Sequence, residues 1–406
     1  MNGAAAWPTR KRIAAYLGLV LLFLGLFLIP VRGWFAERGG RWLYILLFSG
    51  TLSALLVPPV RAVARRSGVL DLPDPRKLHG RATPLLGGVA LFAAFCLSLL
   101  ANSIFSRDLL GILLGSALLV AVGVADDIRP VPAGLKLAAQ VAATALVMAS
   151  GLTLDVLPPA LGGWTWGANA LLTFLWILGI TNAMNFFDGM DGLATGLGAV
   201  TAFFLGVLAY QNHQPFLGWL AAATMGSCLG FLPYNFRPGR PASIFLGDSG
   251  AAFIGFVLAA LAVKGDWAEN NPVVALTAPL LVFGIFIYDM VYITTNRIWS
   301  GKVRSFKGWI EYVGRDHLHH RLEALFGGRA QSVLFIYGMS VCLGLTATVL
   351  RHADTRDALL LIAQGVIILL IVTILEREGN RRLREGGVRA GGAPGSSPGG
   401  APGRKA

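Results

Sequence analysis

The sequence predicts an all-α membrane protein of about twelve transmembrane helices, and three observations carry that prediction. Of 406 residues, 55% are hydrophobic and only 14% charged, against about a quarter charged in soluble domains. The mean hydropathy is +0.65. The apolar residues fall in blocks of about twenty, the length a helix needs to cross a bilayer. The 34 lysines and arginines are shared very unequally between alternate connecting segments, as a fixed orientation in a membrane requires. A soluble protein of two or three domains would lack polar surface and is excluded, as is disorder outside the C-terminal tail. The formal net charge of +13 would suggest nucleic acid for a soluble chain. Here it first reports topology.

Taken in order, the apolar segments are 13–30, 42–60, 84–103, 109–125, 133–150, 168–184, 193–210, 216–233, 249–264, 273–295, 332–350 and 358–375. Arg10, Lys11 and Arg12 precede the first, which resembles a signal peptide but lacks a small-residue cleavage motif. It is read as an anchor. With the N-terminus inside, the inner segments hold 27 basic residues and the outer ones 7. Both termini are therefore expected in the cytoplasm. Of the 21 acids, 14 fall on the inner side, so the basic excess belongs to the cytoplasmic face. Residues 1–41 read as an extra N-terminal anchor and loop, 42–375 as the membrane domain, and 376–406 as a basic, Gly/Pro-rich, disordered cytoplasmic tail. No internal repeat is visible. Cys96, Cys228 and Cys342 lie singly in apolar runs and form neither a disulfide framework nor a zinc site.

Ionisable groups near hydrocarbon are costly, so each is a functional candidate. Five clusters lie at inner ends of the predicted spans. Arg76-Lys77-Leu78-His79 and Thr83-Pro84-Leu85-Leu86-Gly87-Gly88 come first, and these also suit a positive-inside anchor and a helix start. Asp126-Asp127 closes the fourth span, with Lys136 and Gln140 one turn apart in the fifth. A helix-end turn explains one aspartate, but it explains a lysine within an apolar stretch poorly. Asn182, Asn185, Asp188 and Asp191 recur every three residues, which on a helix places neighbours side by side. They suit Mg²⁺ or the edges of a base and a sugar. A glycine-rich turn would need one or two such residues, not four. Asn235 and the run Phe245-Leu246-Gly247-Asp248-Ser249-Gly250 form the fourth cluster, where Asp248 could act only as an N-cap. The fifth, Arg315-Asp316-His317-Leu318-His319-His320-Arg321, shows no evident set of thiolates or carboxylates to complete a transition-metal site. It suits a diphosphate or a plain surface cluster. Together the five suit transfer of a phosphoryl-linked group from a soluble donor to a lipid.

On these strings the chain resembles the polyprenyl-phosphate N-acetylhexosamine-1-phosphate transferases, and among them the undecaprenyl-phosphate N-acetylglucosaminyl branch. The resemblance runs from about residue 42 to 350. Its landmarks are DPRKLHGRATPLLGG (74–88), DD and its following lysine (126–136), NAMNFFDGMDGLATG (182–196), FLGDSG (245–250) and RDHLHHRL (315–322). It implies transfer of N-acetylhexosamine 1-phosphate from a UDP-sugar to polyprenyl phosphate, releasing UMP, with Mg²⁺ or Mn²⁺ as cofactor. Carried over residue by residue, Asp248 resembles the metal-ligating aspartate and Asn185 a second ligand. Asp126 and Asp127 resemble the essential pair, one of them acting on the lipid phosphate, and Lys136 the lysine that reaches the phosphates. Phe245 and Asp191 match uracil contacts, and His317, His319 and His320 match histidines near the diphosphate and sugar. Lys77 and Thr83 match a first loop that closes on the nucleotide. Asn182, Asp188, Asn235 and Arg315 complete the expected substrate-binding set. Leu318 interrupts the histidines as in the N-acetylglucosamine branch, which favours UDP-GlcNAc over UDP-MurNAc-pentapeptide.

The chain departs from the family pattern in its extra first span, in the insertion RPGRPAS (237–243), in the approach SFKGWIEYVGRDH (305–317), and at Ala251, where many members carry serine. Expected partners are a UDP-N-acetyl sugar, undecaprenyl phosphate and the membrane. Nucleic acid is not expected, and a homodimer is left open. The rival reading is a polytopic transporter or lipid flippase, which predicts charges near the bilayer midplane. Only Asp289, about six residues inside the tenth span, fits that description.

Overall fold

A computed structural model describes residues 9–73, 81–157, 162–267, 272–301, 303, 316–350 and 354–391. Helices dominate. In chain order they are α1 (Thr9–Phe27), α2 (Ile29–Glu37), α3 (Arg41–Arg66), α4 (Gly87–Ala101), α5 (Arg107–Ile128), α6 (Ala133–Ala149), α7 (Trp164–Phe187), α8 (Leu193–Gln211), α9 (Pro215–Asn235), α10 (Gly247–Lys264), α11 (Pro272–Val282), α12 (Gly284–Trp299), α13 (Leu318–Phe326), α14 (Arg329–Val349) and α15 (Thr355–Gly391). A minimal antiparallel hairpin, β1 (Leu70–Asp71) with β2 (Thr83–Pro84), precedes α4.

Every predicted span is helical, but the spans are not uniform in length or straightness. Eight helices among the described residues are long and apolar enough to cross a membrane, and α4 and α6 are shorter. Two predicted spans are bent pairs. The first breaks by 68° between α1 and α2, where Pro30 begins the second helix and cannot continue the first. The tenth breaks by 77° between α11 and α12, at Phe283-Gly284, after Pro279 within α11. Helical backbone continues through Gly391, because Arg, Leu and Glu in 376–385 are good helix formers. Residues 392–406 lie outside the described residues.

The core is built around α10. From Ser249 to Val263 every residue is buried, so this helix is apolar on all sides, as a central helix must be. Its small residues permit close neighbours. Gly250 meets Gly88 of α4, Gly123 of α5 lies against Ser249, and Gly255 faces Thr181 and Met184 of α7. A second tight pair joins α3 to α9, where Gly226 and Gly230 abut Leu46, Ser49 and Gly50, and Ser53 Oγ donates to the Ser227 carbonyl at 2.8 Å. Large aliphatic side chains such as Leu110, Leu114, Leu171, Ile367 and Leu370 are exposed, as expected for helices facing lipid.

Candidate active site

Four of the five clusters meet at one end of this bundle, around the N-terminus of α10. Gly247 enters that helix at φ +76°, a left-handed conformation that side chains resist. A Cβ there would lie 2.6 Å from Asp127 Oδ2. Asp127 caps the helix: Oδ1 accepts from the Asp248 N–H at 3.1 Å and Oδ2 from Ser249 Oγ at 2.9 Å. Asp126, one residue earlier on α5, points elsewhere, since successive helical residues do not share a face. Its Oδ1 accepts from the Val131 N–H at 2.7 Å and its Oδ2 from Lys136 Nζ at 2.7 Å. Lys136 also donates to Asp248 Oδ2 at 2.6 Å. One ammonium thus bridges carboxylates from α5 and α10. With a third of the lysine side chain and 46% of the Asp248 side chain exposed, the bridge is open to an incoming anion.

The α7–α8 turn closes a second side. Helix α7 ends at Phe187 with Asp188 as its C-cap, so only Asn182, Asn185 and Asp188 follow the expected helical spacing. Asn182 exchanges amide hydrogen bonds with Gln140 at 2.8 and 3.3 Å, one turn beyond Lys136. Asp188 accepts from the Gly247 N–H, and burial together with the charges of Asp248, Asp127 and Asp191 raises its pKa well above the ordinary carboxyl value. Asp191 accepts from the Ala242 N–H at 2.9 Å. Asn235 accepts from the Gly192 N–H at 2.9 Å and donates to the Ile244 carbonyl at 3.2 Å. Asp191 and Asn235 therefore fasten the loop that leads to Phe245. That loop is pinned to the first one, with the Phe245 N–H donating to the Pro84 carbonyl at 2.8 Å and the Gly88 N–H to the Leu246 carbonyl at 2.8 Å. Thr83 is buried and donates to the Arg81 carbonyl at 3.2 Å. Lys77 and Arg315 lie outside the described residues.

The histidines form the third side. His317 Nδ1 pairs with Asp289 Oδ2 at 2.8 Å, while Asp289 Oδ1 accepts the Leu318 N–H at 2.8 Å. The His317 ring stacks on Phe186 at 4.7 Å between centroids. With Nδ1 engaged, Nε2 is the nitrogen left to act on a ligand. His319 is 1% exposed, yet neither ring nitrogen has a hydrogen-bond partner. Its Nε2 lies so close to Gly189 that any side chain there would collide with it. Burial, then His320, His317 and Arg321 beside it, hold its pKa well below the ordinary histidine value. The His320 ring lies 4.2 Å from that of His319. Arg321, expected beside a diphosphate, instead turns inward toward Asp289 and Glu376, because two buried carboxylates attract it. Asp316 is fixed by Arg297 in a two-pronged pair at 2.7 and 2.9 Å. This pairing, opposed by burial, lowers its pKa.

Among the described residues, no three His, Cys, Asp or Glu side chains are grouped as a metal shell. A hard cation nevertheless fits. Asn185 Oδ1 is buried without a hydrogen-bond partner, and an amide oxygen, like a carboxylate, is a donor of the kind that Mg²⁺ prefers.

The model for glycosyl transferase family 4 matches residues 109–266, a stretch that holds Asp126, Asp127, Lys136, the α7–α8 turn and Asp248. A Bacillus subtilis protein described as a "probable undecaprenyl-phosphate N-acetylglucosaminyl 1-phosphate transferase" is 31% identical over 83% of this chain and 92% of its own length. This chain belongs to glycosyl transferase family 4. A Mycobacterium tuberculosis decaprenyl-phosphate N-acetylglucosaminephosphotransferase is 30% identical over 78% of this chain and 84% of its own. A Yersinia pestis undecaprenyl-phosphate alpha-N-acetylglucosaminyl 1-phosphate transferase is 30% identical over 72% and 79% respectively. As a glycosyl transferase family 4 member the chain is an enzyme of the membrane. Sequence reasoning left several of its site residues without a role. Asp289 was visible as an acid within an apolar span, but its partner lies 28 residues on. Ser249 stood in the fourth cluster without a role of its own, and Phe186 gave no polar or periodic signal.

Proposed function

We propose that this chain transfers N-acetylhexosamine 1-phosphate, specifically GlcNAc 1-phosphate, from a UDP-sugar to undecaprenyl phosphate. The products are undecaprenyl-diphosphate-sugar and UMP, formed at the cytoplasmic face of the cell membrane. The observation that carries this reading is Lys136, held between Asp126 and Asp248 at the open end of a lipid-bathed bundle. An anionic phosphate can take over the ammonium. The names of the relatives, which act on undecaprenyl or decaprenyl phosphate and N-acetylglucosamine, supply the substrate class.

In this reading an oxygen of the lipid phosphate attacks the sugar-bearing phosphorus of the donor. A new P–O bond forms as the bond to the bridging oxygen breaks, and the electron pair leaves on UMP. Little covalent chemistry falls to the protein, so positioning and charge stabilisation dominate. Asp126, fixed by the Val131 N–H, positions Lys136 and the acceptor phosphate. Asp127 holds the α10 N-terminus that presents Asp248. His317, oriented through Nδ1, offers Nε2 to the diphosphate or sugar. A divalent cation held by Asp248 and Asn185 would neutralise phosphate charge. A transporter would place its polar groups near the midplane, whereas these lie at helix ends.

The test is a donor panel with protein purified in detergent, undecaprenyl phosphate and Mg²⁺, measuring UMP release from several UDP-sugars. UDP-GlcNAc should give release that chelation abolishes. No release from any donor would sink the enzyme reading. Release from UDP-MurNAc-pentapeptide alone would reassign the branch.

A further inference from the structure

The histidine segment is tied to the last helix by charges that the reaction itself does not use. Arg321 lies on α13, one turn beyond His317, and only 11% of its side chain is exposed. Its Nη1 sits 3.1 Å from Glu376 Oε2 of α15, and its Nη2 sits 3.5 Å from Asp289 Oδ1 of α12. The guanidinium lies flat over Tyr292 at 3.9 Å. Both acids are almost fully buried, Glu376 at 2% and Asp289 at 1% exposure. Charges this deep persist only when paired. Asp289 is also the group that orients His317 and receives the Leu318 N–H.

Two acids thus share one arginine, and the sharing has a consequence. Glu376 draws the guanidinium toward α15 and leaves the Asp289 carboxylate available to His317. Without Glu376, Arg321 would turn wholly to Asp289, the one buried acid left beside it among the described residues, and compete with His317 Nδ1 for the same carboxylate. Most of the described side chains of α15 are exposed, and the helix also meets this region through the Tyr288–Thr373 hydroxyl contact at 2.6 Å. An acid buried on such a helix is costly unless it serves a purpose.

We propose that Glu376 is a positioning residue: through Arg321 and Asp289 it sets the orientation of His317. This rests on the transferase reading for its kinetic arm only. The test uses the full chain and the variants Glu376→Gln, Glu376→Asp and Thr373→Val. Two readouts are followed: kcat and KM for UDP-GlcNAc, and the rate at which diethyl pyrocarbonate modifies His317, read by peptide mass spectrometry. Glu376→Gln should lower kcat at least tenfold with KM within about twofold, and should change the His317 labelling rate several-fold. Glu376→Asp should restore both in part. Thr373→Val loosens the same helix without touching the charges and should leave both near wild type. Unchanged labelling and kcat in Glu376→Gln would overturn the proposal, as would equal losses in Thr373→Val. A wild-type protein that releases no UMP would defeat the transferase reading alone, since the labelling arm still decides the role of Glu376.

Discussion

At the scale of single residues, the two adjacent aspartates have different tasks. Asp126 touches Lys136 and faces the open site, whereas both oxygens of Asp127 are engaged in capping α10. Replacing Lys136 with Met should cost about 10²–10³-fold in kcat, the scale of losing one preorganised group that stabilises developing charge, and steady-state UMP release would measure it. Asp127→Ala removes a cap, a change of about 1 kcal/mol. It should lower the melting temperature by several degrees and reduce turnover less than Asp126→Asn or Asp248→Asn does. Equal losses in all three, with no thermal shift, would place Asp127 among the reacting groups. His319 supplies a pH signature. Its depressed pKa means that the folded state resists a proton that the unfolded chain accepts below about 6.5. Stability is therefore full above that pH and falls as pH drops toward the lower folded value. Asp316 acts in a more acidic window, below about 3.9, where its pairing with Arg297 is lost. His319→Gln should flatten the thermal stability profile between pH 7 and pH 5 while leaving the more acidic limb in place.

At the scale of elements, the α10 N-terminus decides the site, and a backbone angle decides that terminus. Gly247→Ala would force a Cβ to within 2.6 Å of the Asp127 carboxylate at φ +76°, and the left-handed conformation alone costs about 1–2 kcal/mol. Both melting temperature and turnover should fall. Gly338→Ala is the contrasting case: it lies inside α14 with nothing within 4 Å of its Cβ position, so helix propensity should make it neutral or slightly stabilising. A harmless Gly247→Ala, measured beside it, would refute the strained-entry account. The same elements show what the sequence made legible. Lys136 and the aspartates were visible because charge is scarce in this chain. The apolar helices were visible because hydropathy reports burial in lipid. Hydropathy carries no direction, however, so the bends after Leu28 and at Phe283 were hidden inside continuous apolar runs. Pairings such as Asp289 with His317, Asp127 with Ser249, and Asn235 with Gly192 join residues 28 to 122 positions apart. No periodicity reports a contact of that range. Arg321 was misplaced for the same reason, since its partners lie on α12 and α15.

At the scale of the whole molecule, the clusters around Lys136, Asp188, Asp248 and His317 converge on one end. The segments read as inner hold 27 basic residues and those read as outer hold 7, which predicts that this end faces the cytoplasm, because segments rich in Lys and Arg resist translocation. The proposed donor, a UDP-sugar, is soluble and cannot cross, so the proposed reaction requires the site to open to the compartment that holds it. Single cysteines report this directly once Cys96, Cys228 and Cys342 are replaced. Pro238→Cys places an exposed thiol in the α9–α10 loop beside the site, and Thr153→Cys places one at the opposite end, after α6. In intact cells with a permeable outer layer, a membrane-impermeant maleimide should label Thr153→Cys and spare Pro238→Cys until the cytoplasmic membrane is opened. The reverse pattern would turn the protein over in the membrane. It would also deny the site its nucleotide donor, so the labelling experiment tests the proposed reaction as well as the orientation.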